Sequence, residues 1–372
     1  MSHDASTHPL RPARTFVVTG LGAVSAWGWS AGDLWRGLLS GRTAIGSLDR
    51  FPAAEQRTRL AAQVPAPPRD LPARVAGWNE LSQAERFALV ATLEAVGAAG
   101  LAPGDLPAPH RTGVFFGGST AGMFETEETI RALLVGDRAG ATRTDLAPLT
   151  SQPLDNPAGA VARLLGAAGP VVTVSSACAS GTQAVGLALD ALRAGEVDVA
   201  VTGGADSLCR LTYAGFNALR VVDAEACRPF REGRTGMSLG EGAGILIVEP
   251  VERALARGTT ILGSCLGVGN SCDAHHMTAP RPDGLGAALA TERALADAGV
   301  TADEVAFLNA HGTGTPLNDA SEWRGFARAL GPRAAEIPLT ATKASIGHLL
   351  GTSGSLEAVA TVLCLDAGLV HP

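Results

Sequence analysis

The chain has 372 residues, of which 46% are apolar and 17% charged, so it can bury a sizeable core and is not a disordered chain. A formal net charge of −7 and only 4% aromatic residues argue against nucleic acid and anionic membrane as partners. No apolar run approaches the roughly 20 residues of a membrane span, and six cysteines without a CxxC pair fit reduced thiols in the cytoplasm.

Residues 1–13 lack the apolar stretch of a secretory signal and read as a loose arm. The first strand is expected at "TFVVTG", 15–20, with a tight loop "LGAVSAWG" after it. This opening is similar to a dinucleotide-binding fingerprint, but Ser25 stands where a third Gly or Ala is needed. Asp49 lies too far on to hold a ribose, so a nicotinamide site is not expected.

A weak internal repeat then sets the architecture. Residues 85–106, "ERFALVATLEAVGAAGLAPGDL", match 286–305, "GAALATERALADAGVTADEV", and a strand follows each, at 113–120 and 306–315. Next, "VVTV", "SSACASG" and a helix ending at Gly195 match "PLTAT", "KASIGHLLGTSG" and a helix ending at Gly368. Alternating strands and helices imply largely parallel sheets covered by helices. We therefore expect a duplicated α/β fold, with an N-terminal half over 14–258 and a C-terminal half over 259–372. The first half adds strands at 197–207 and 240–250; the second is expected to be cut short before the corresponding two.

Three residues carry candidate chemistry. Cys178 falls on a strand-to-helix turn among small neighbours, where free amides and the helix dipole are expected to lower its pKa. His311 opens "HGTGTPLND" at the carboxyl end of a strand, where ligand sites of such sheets gather. Thr313 and Thr315 offer hydroxyls there to a polar chain. His348 lies in the loop matching that of Cys178, so a pseudo-twofold axis would bring the loops together. Five residues before it stands Lys343, the only lysine in the chain. The run "CDAHHM" (Cys272, Asp273, His275, His276) lacks the spacing of a catalytic zinc site, and no metal is expected.

With "VVTGLGAVSAWG", "SSACASGTQA", "CRPFREGRTGMSLGEGAG", "DAHHMTAPRPDG", "HGTGTPLND" and "KASIGHLLGTSGSLEA" in order, the chain resembles the β-ketoacyl-(acyl carrier protein) synthases, II-type condensing enzymes of the thiolase superfamily. The resemblance implies a thiolase-like fold layered α-β-α-β-α with two mixed sheets. It implies decarboxylative condensation of an acyl-Cys178 intermediate with a malonyl carrier, helped by His311 and His348, in fatty acid or polyketide biosynthesis. It assigns Lys343 and Glu357 as a buried pair, and Thr278, Thr313 and Thr315 as pantetheine contacts. Phe216 matches an acyl-pocket residue and Arg220 a carrier-docking one. A second basic cluster expected near 80–86 offers only Arg86, beside Glu80 and Glu85. The implied partners are acyl carrier protein and a like or related subunit, as homodimer or heterodimer, with no cofactor beyond the carrier's phosphopantetheine. The alternative is a non-catalytic subunit that sets chain length; such partners usually lack the nucleophilic cysteine.

Overall fold

The computed structural model describes residues 15–101, 106–135 and 143–372; the arm at 1–13 lies outside them. The first strand, β1 (Phe16–Val24), is buried at every position. It continues through part of the expected loop because of its glycines. A Cβ at Gly22 would stand 1.8 Å from the Ala91 carbonyl oxygen, so only glycine lets this strand lie against the helix above it. The Gly-x-Gly spacing thus serves packing, and the chain turns only at Ser25–Gly28, which exchange backbone hydrogen bonds of 2.9 and 3.0 Å.

Helix α1 (Ala31–Leu39), the short strands β2 (Gly46–Ser47) and β3 (Leu60–Ala62), and α2 (Gln83–Ala98) follow. Next come β4 (Thr112–Gly117), α3 (Met123–Val135), α4 (Asn156–Leu165), β5 (Val171–Val174) and α5 (Ser180–Ala194). The first half then adds β6 (Val199–Asp206), α6 (Arg210–Ala218), β7 (Leu239–Gly240), β8 (Gly242–Pro250) and α7 (Val251–Arg257). The second half supplies β9 (Gly263–Cys265), α8 (Leu285–Ala298), β10 (Leu308–Asn309), α9 (Pro316–Leu330), β11 (Leu339–Thr340), α10 (Lys343–Ile346) and α11 (Ser353–Ala367).

The main sheet has the order β5-β4-β6-β8-β1-β9. β4 is parallel to β5 and β6, whereas β8 is antiparallel to β6 and β1. One face packs on α2 and α4 through Phe87, Ala91 and Val161. The other packs on α1, α5 and α11 through Leu34, Leu189 and Leu356. Beyond α11, the parallel pair β10–β11 is reached through Asn309, whose amide donates to Glu357 O (3.0 Å). Leu295 of α8 and Phe326 of α9 close the far side around Leu330 and Ile337. The layers therefore run α-β-α-β-α.

The duplication recurs in the packing. A Cβ at Gly269 would stand 2.0 Å from Ala290 O on α8, the counterpart of Gly22 against α2. The matched helices α5 and α11 cross where a Cβ at Gly181 would come 2.6 Å from Ser355 N. That close crossing places the loops before both helices side by side.

Candidate active site

Cys178 lies two residues before α5, on the turn leaving β5. Ser180 shapes the turn: its hydroxyl accepts from Ser176 N–H (2.9 Å) and donates to Ala177 O (2.6 Å). Ala177 is held at φ +54°, a conformation L-residues rarely adopt. The expected low thiol pKa is corrected. Burial pushes the Cys178 thiol up, opposed by the Lys343 ammonium and by its own backbone amide. At rest Cys178 is therefore a thiol.

His348 is fully buried after α10. Its N–H donates to Ser238 O (2.7 Å), while its carbonyl accepts from Gly240 N–H (2.9 Å), so the loop is locked beside β7. Leu350 N–H donates to His348 Nδ1 (3.1 Å). A backbone N–H can only donate, so the neutral ring carries its proton on Nε2. That atom stands 3.0 Å from Cys178 Sγ. Ser353 Oγ, 2.8 Å from Nδ1, supports the same orientation.

His311 leaves the end of β10, and its backbone is clamped by Glu322 of α9. The two carboxylate oxygens accept from His311 N–H (2.6 Å) and Gly312 N–H (2.9 Å). Lys343 Nζ donates to His311 O (2.6 Å) and stands 3.3 Å from His311 Nδ1. An ammonium has only donors, so this ring too holds its proton on Nε2. The two imidazoles lie edge to face, 5.4 Å apart at 87°. Burial, then Lys343, push both well below the usual histidine range, so both are neutral at neutral pH.

Lys343 is 1% exposed and also pairs with Glu357 of α11. One compact ammonium thus meets a carbonyl, a ring nitrogen and a carboxylate in three directions. A planar guanidinium points its donors in one plane and is too wide for this site.

The sulfur and one nitrogen of each imidazole lie within 4.8 Å of one another, a spacing that metal ligands also show. Lys343 acts electrostatically on all three and opposes a dication among them. In the "CDAHHM" loop, His276 Nδ1 accepts from Thr278 and Ala279 N–H (3.1 Å each), and Asp273 accepts from Arg281 N–H (2.7 Å). These groups bind their own loop.

The remaining expected residues are more dispersed. Thr313 is buried, with its hydroxyl 2.9 Å from that of Thr315, and Thr315 caps α9 by accepting from Asn318 N–H (3.3 Å). Thr278 lies on an exposed loop. Phe216 is half-buried against the cluster of Phe51, Tyr213 and Leu350, the last of which serves His348. Arg220 is exposed, at φ +56°, and its carbonyl accepts from Arg57 (3.2 Å). Arg86 is engaged locally, over the Trp78 ring at 5.2 Å and donating to Trp78 O.

Sequence reasoning missed Glu322, Asp319 and Ser353. Asp319 accepts from Phe230 N–H (2.8 Å) and Gly314 N–H (3.1 Å), tying the glycine-rich loop to "CRPF". A signal existed: Asp319 and Glu322 stand three apart, on one face of the helix that follows "HGTGT".

Fold and site together define a thiol-dependent acyltransferase: a cysteine at a strand–helix turn faces two neutral N–H donors. The chain belongs to the β-ketoacyl synthase family, whose N-terminal domain model matches residues 13–254 and whose C-terminal domain model matches 262–372. It is 38% identical to 3-oxoacyl-(acyl-carrier-protein) synthase 2 of Synechocystis sp., over 96% of this chain and 86% of that protein. It is similar in structure to the ishigamide ketosynthase/chain length factor, with TM-score 0.89 and 34% identity over 96% and 88% of the chains. A type II polyketide ketosynthase, bound to the hexaketide and solved with its acyl-carrier protein, gives 0.84 and 28% over the same shares. Among the described residues no helix is long and apolar enough to cross a membrane.

Proposed function

We propose that Cys178, His311 and His348 carry out a decarboxylative condensation between two carrier-bound acyl groups. The observation that carries this is the Nε2–H of His348, 3.0 Å from Cys178 Sγ, with the His311 ring beside it. Cys178 takes the acyl group from its carrier, and the thiol proton leaves on the carrier thiol. The thioester oxygen of an incoming malonyl carrier then accepts from both imidazoles. As CO₂ departs, negative charge builds on that oxygen, where the two donors stabilise the enolate. The enolate carbon attacks the acyl-Cys178 carbonyl, the C–S bond to Cys178 breaks to give the β-ketoacyl carrier, and the released thiolate takes a proton from water to restore the thiol. The Cys178 amide is one oxyanion donor, typically worth about 3 kcal/mol. Neutral imidazoles suit this task, since each offers a proton in a hydrogen bond without carrying charge beside Lys343.

In this reading no metal or organic cofactor takes part, and the substrates ride on phosphopantetheine. Thr278, Thr313 and Thr315 would meet that arm, Phe216 the acyl chain and Arg220 the acidic carrier. We place the protein in the cytoplasm, as a homodimer or beside a related subunit; its free cysteines suit a reducing compartment. The test is the intact mass of the protein after incubation with a medium-chain acyl carrier thioester, with Cys178→Ala as control. One acyl adduct, absent in the control, followed by product on adding malonyl carrier, is expected. A folded protein that takes up no acyl group overturns the reading and favours the non-catalytic subunit.

A further inference from the structure

His371 lies outside this machinery, 3% exposed beside β11. Its neighbours form a hydrogen-bond chain of fixed direction. Asn309 Nδ2 donates to Glu357 O (3.0 Å), and a carbonyl only accepts, so Asn309 Oδ1 is the accepting end of that amide. Thr342 Oγ1 donates to this Oδ1 over 3.1 Å. With its one proton committed, Thr342 can only accept from His371 Nε2, 3.3 Å away. The neutral His371 ring therefore holds its proton on Nε2. Its bare Nδ1 accepts from the Thr340 hydroxyl at 3.1 Å. Pro372 O also lies 3.0 Å from Nδ1; a neutral ring has one proton, and Thr342, which has no donor left, selects Nε2, while burial, which pushes His371 below the usual histidine range, opposes a second proton on Nδ1.

The chain ends at the backbone of Glu357 and passes through Thr342, the neighbour of Lys343. We propose that His371 is a positioning residue for His311: through Thr342 and Asn309 it fixes the Lys343–Glu357 pair that holds the His311 carbonyl and ring. None of these bonds reaches Cys178, which faces His348, a ring oriented in turn by Leu350 and Ser353. The bonds of the relay therefore bear on malonyl decarboxylation; they touch acyl loading only through the Lys343 charge, which variants at His371 and Thr342 keep. This inference rests on the function proposed above.

The test separates the two half-reactions in the full chain. Acyl loading is read as the rate of adduct formation on Cys178, and decarboxylation as CO₂ release from malonyl carrier by the loaded enzyme. His371→Leu removes the donor, and Thr342→Val cuts the next link at the same shape. Each is expected to slow decarboxylation by about tenfold, with loading within about twofold of wild type, as for a small misplacement of a reacting group. His371→Gln, which keeps an N–H near the Nε2 position, restores most of the rate. The double variant is no worse than the slower single one, because both cut one relay. Decarboxylation at the wild-type rate in Thr342→Val, or equal loss of both half-reactions, overturns the proposal; because Thr342→Val is isosteric, this holds even where His371→Leu does not fold. A wild-type chain that loads no acyl group fails the proposed function itself. A working wild type matched by its variants fails this inference alone.

Discussion

Lys343 shows how much one atom can decide. Its Nζ reaches His311 O, His311 Nδ1 and the Glu357 carboxylate at once, and this fixes the His311 tautomer. Burying a charged pair is costly, but disturbing one member of it typically costs more, roughly 3–5 kcal/mol when a partner is removed. Lys343→Arg keeps the charge and loses the geometry, because the planar fork cannot serve three targets in different directions. Condensation is expected to fall by at least about tenfold in a steady-state assay with acyl and malonyl carriers. Wild-type turnover in that variant would sink the role given to Lys343.

Among the elements, the crossing of α5 and α11 matters most. These helices come from matched positions of the two halves and bring the Cys178 and His348 loops together. They approach so closely because Gly181 has no Cβ to meet Ser355 N. Gly181→Ala would put an atom 2.6 Å from that backbone nitrogen, closer than real contacts allow. The helices must part by a few tenths of an ångström or more, and the 3.0 Å Sγ–Nε2 contact must lengthen. We expect a loss of turnover of about tenfold or more, larger than the loss of thermal stability explains. Unchanged turnover at wild-type melting temperature would show that the crossing tolerates the methyl.

On the scale of the whole molecule, the main sheet ends, among the described residues, in an apolar edge without a partner strand. Among the described residues β5 is hydrogen-bonded to β4 on one side only, and Val171 is 44% exposed in the isolated chain. Such an edge is ordinarily covered, because free strand groups recruit another chain. The same strand leads straight into the Cys178 turn, so whatever covers it also borders that turn. Val171→Lys sets a charge on that edge and is expected to shift the protein toward monomer in sedimentation or size-exclusion measurements at micromolar concentration. A variant that assembles like the wild type would place the subunit contact elsewhere.

The sequence by itself determined the duplicated α/β plan, singled out the Cys178, His311 and His348 loops that the fold brings together, and held the isolated lysine, because each is written in local signals. Strand-loop-helix periodicity gave the halves; Gly195 and Gly368 end their helices in left-handed caps where expected. The glycines of β1 were misleading, since Gly-x-Gly serves a phosphate loop or a close helix equally well until the neighbour, Ala91, is known. Only the tertiary structure decided the electrostatics. The helix start predicts a lowered Cys178 pKa, but burial, a sum over distant chain segments, outweighs it. The tautomers of His311 and His348, the clamp by Glu322 and the relay from His371 depend likewise on partners such as Lys343, Leu350 and Thr342. Those partners become neighbours of the right atoms only once the two halves have packed.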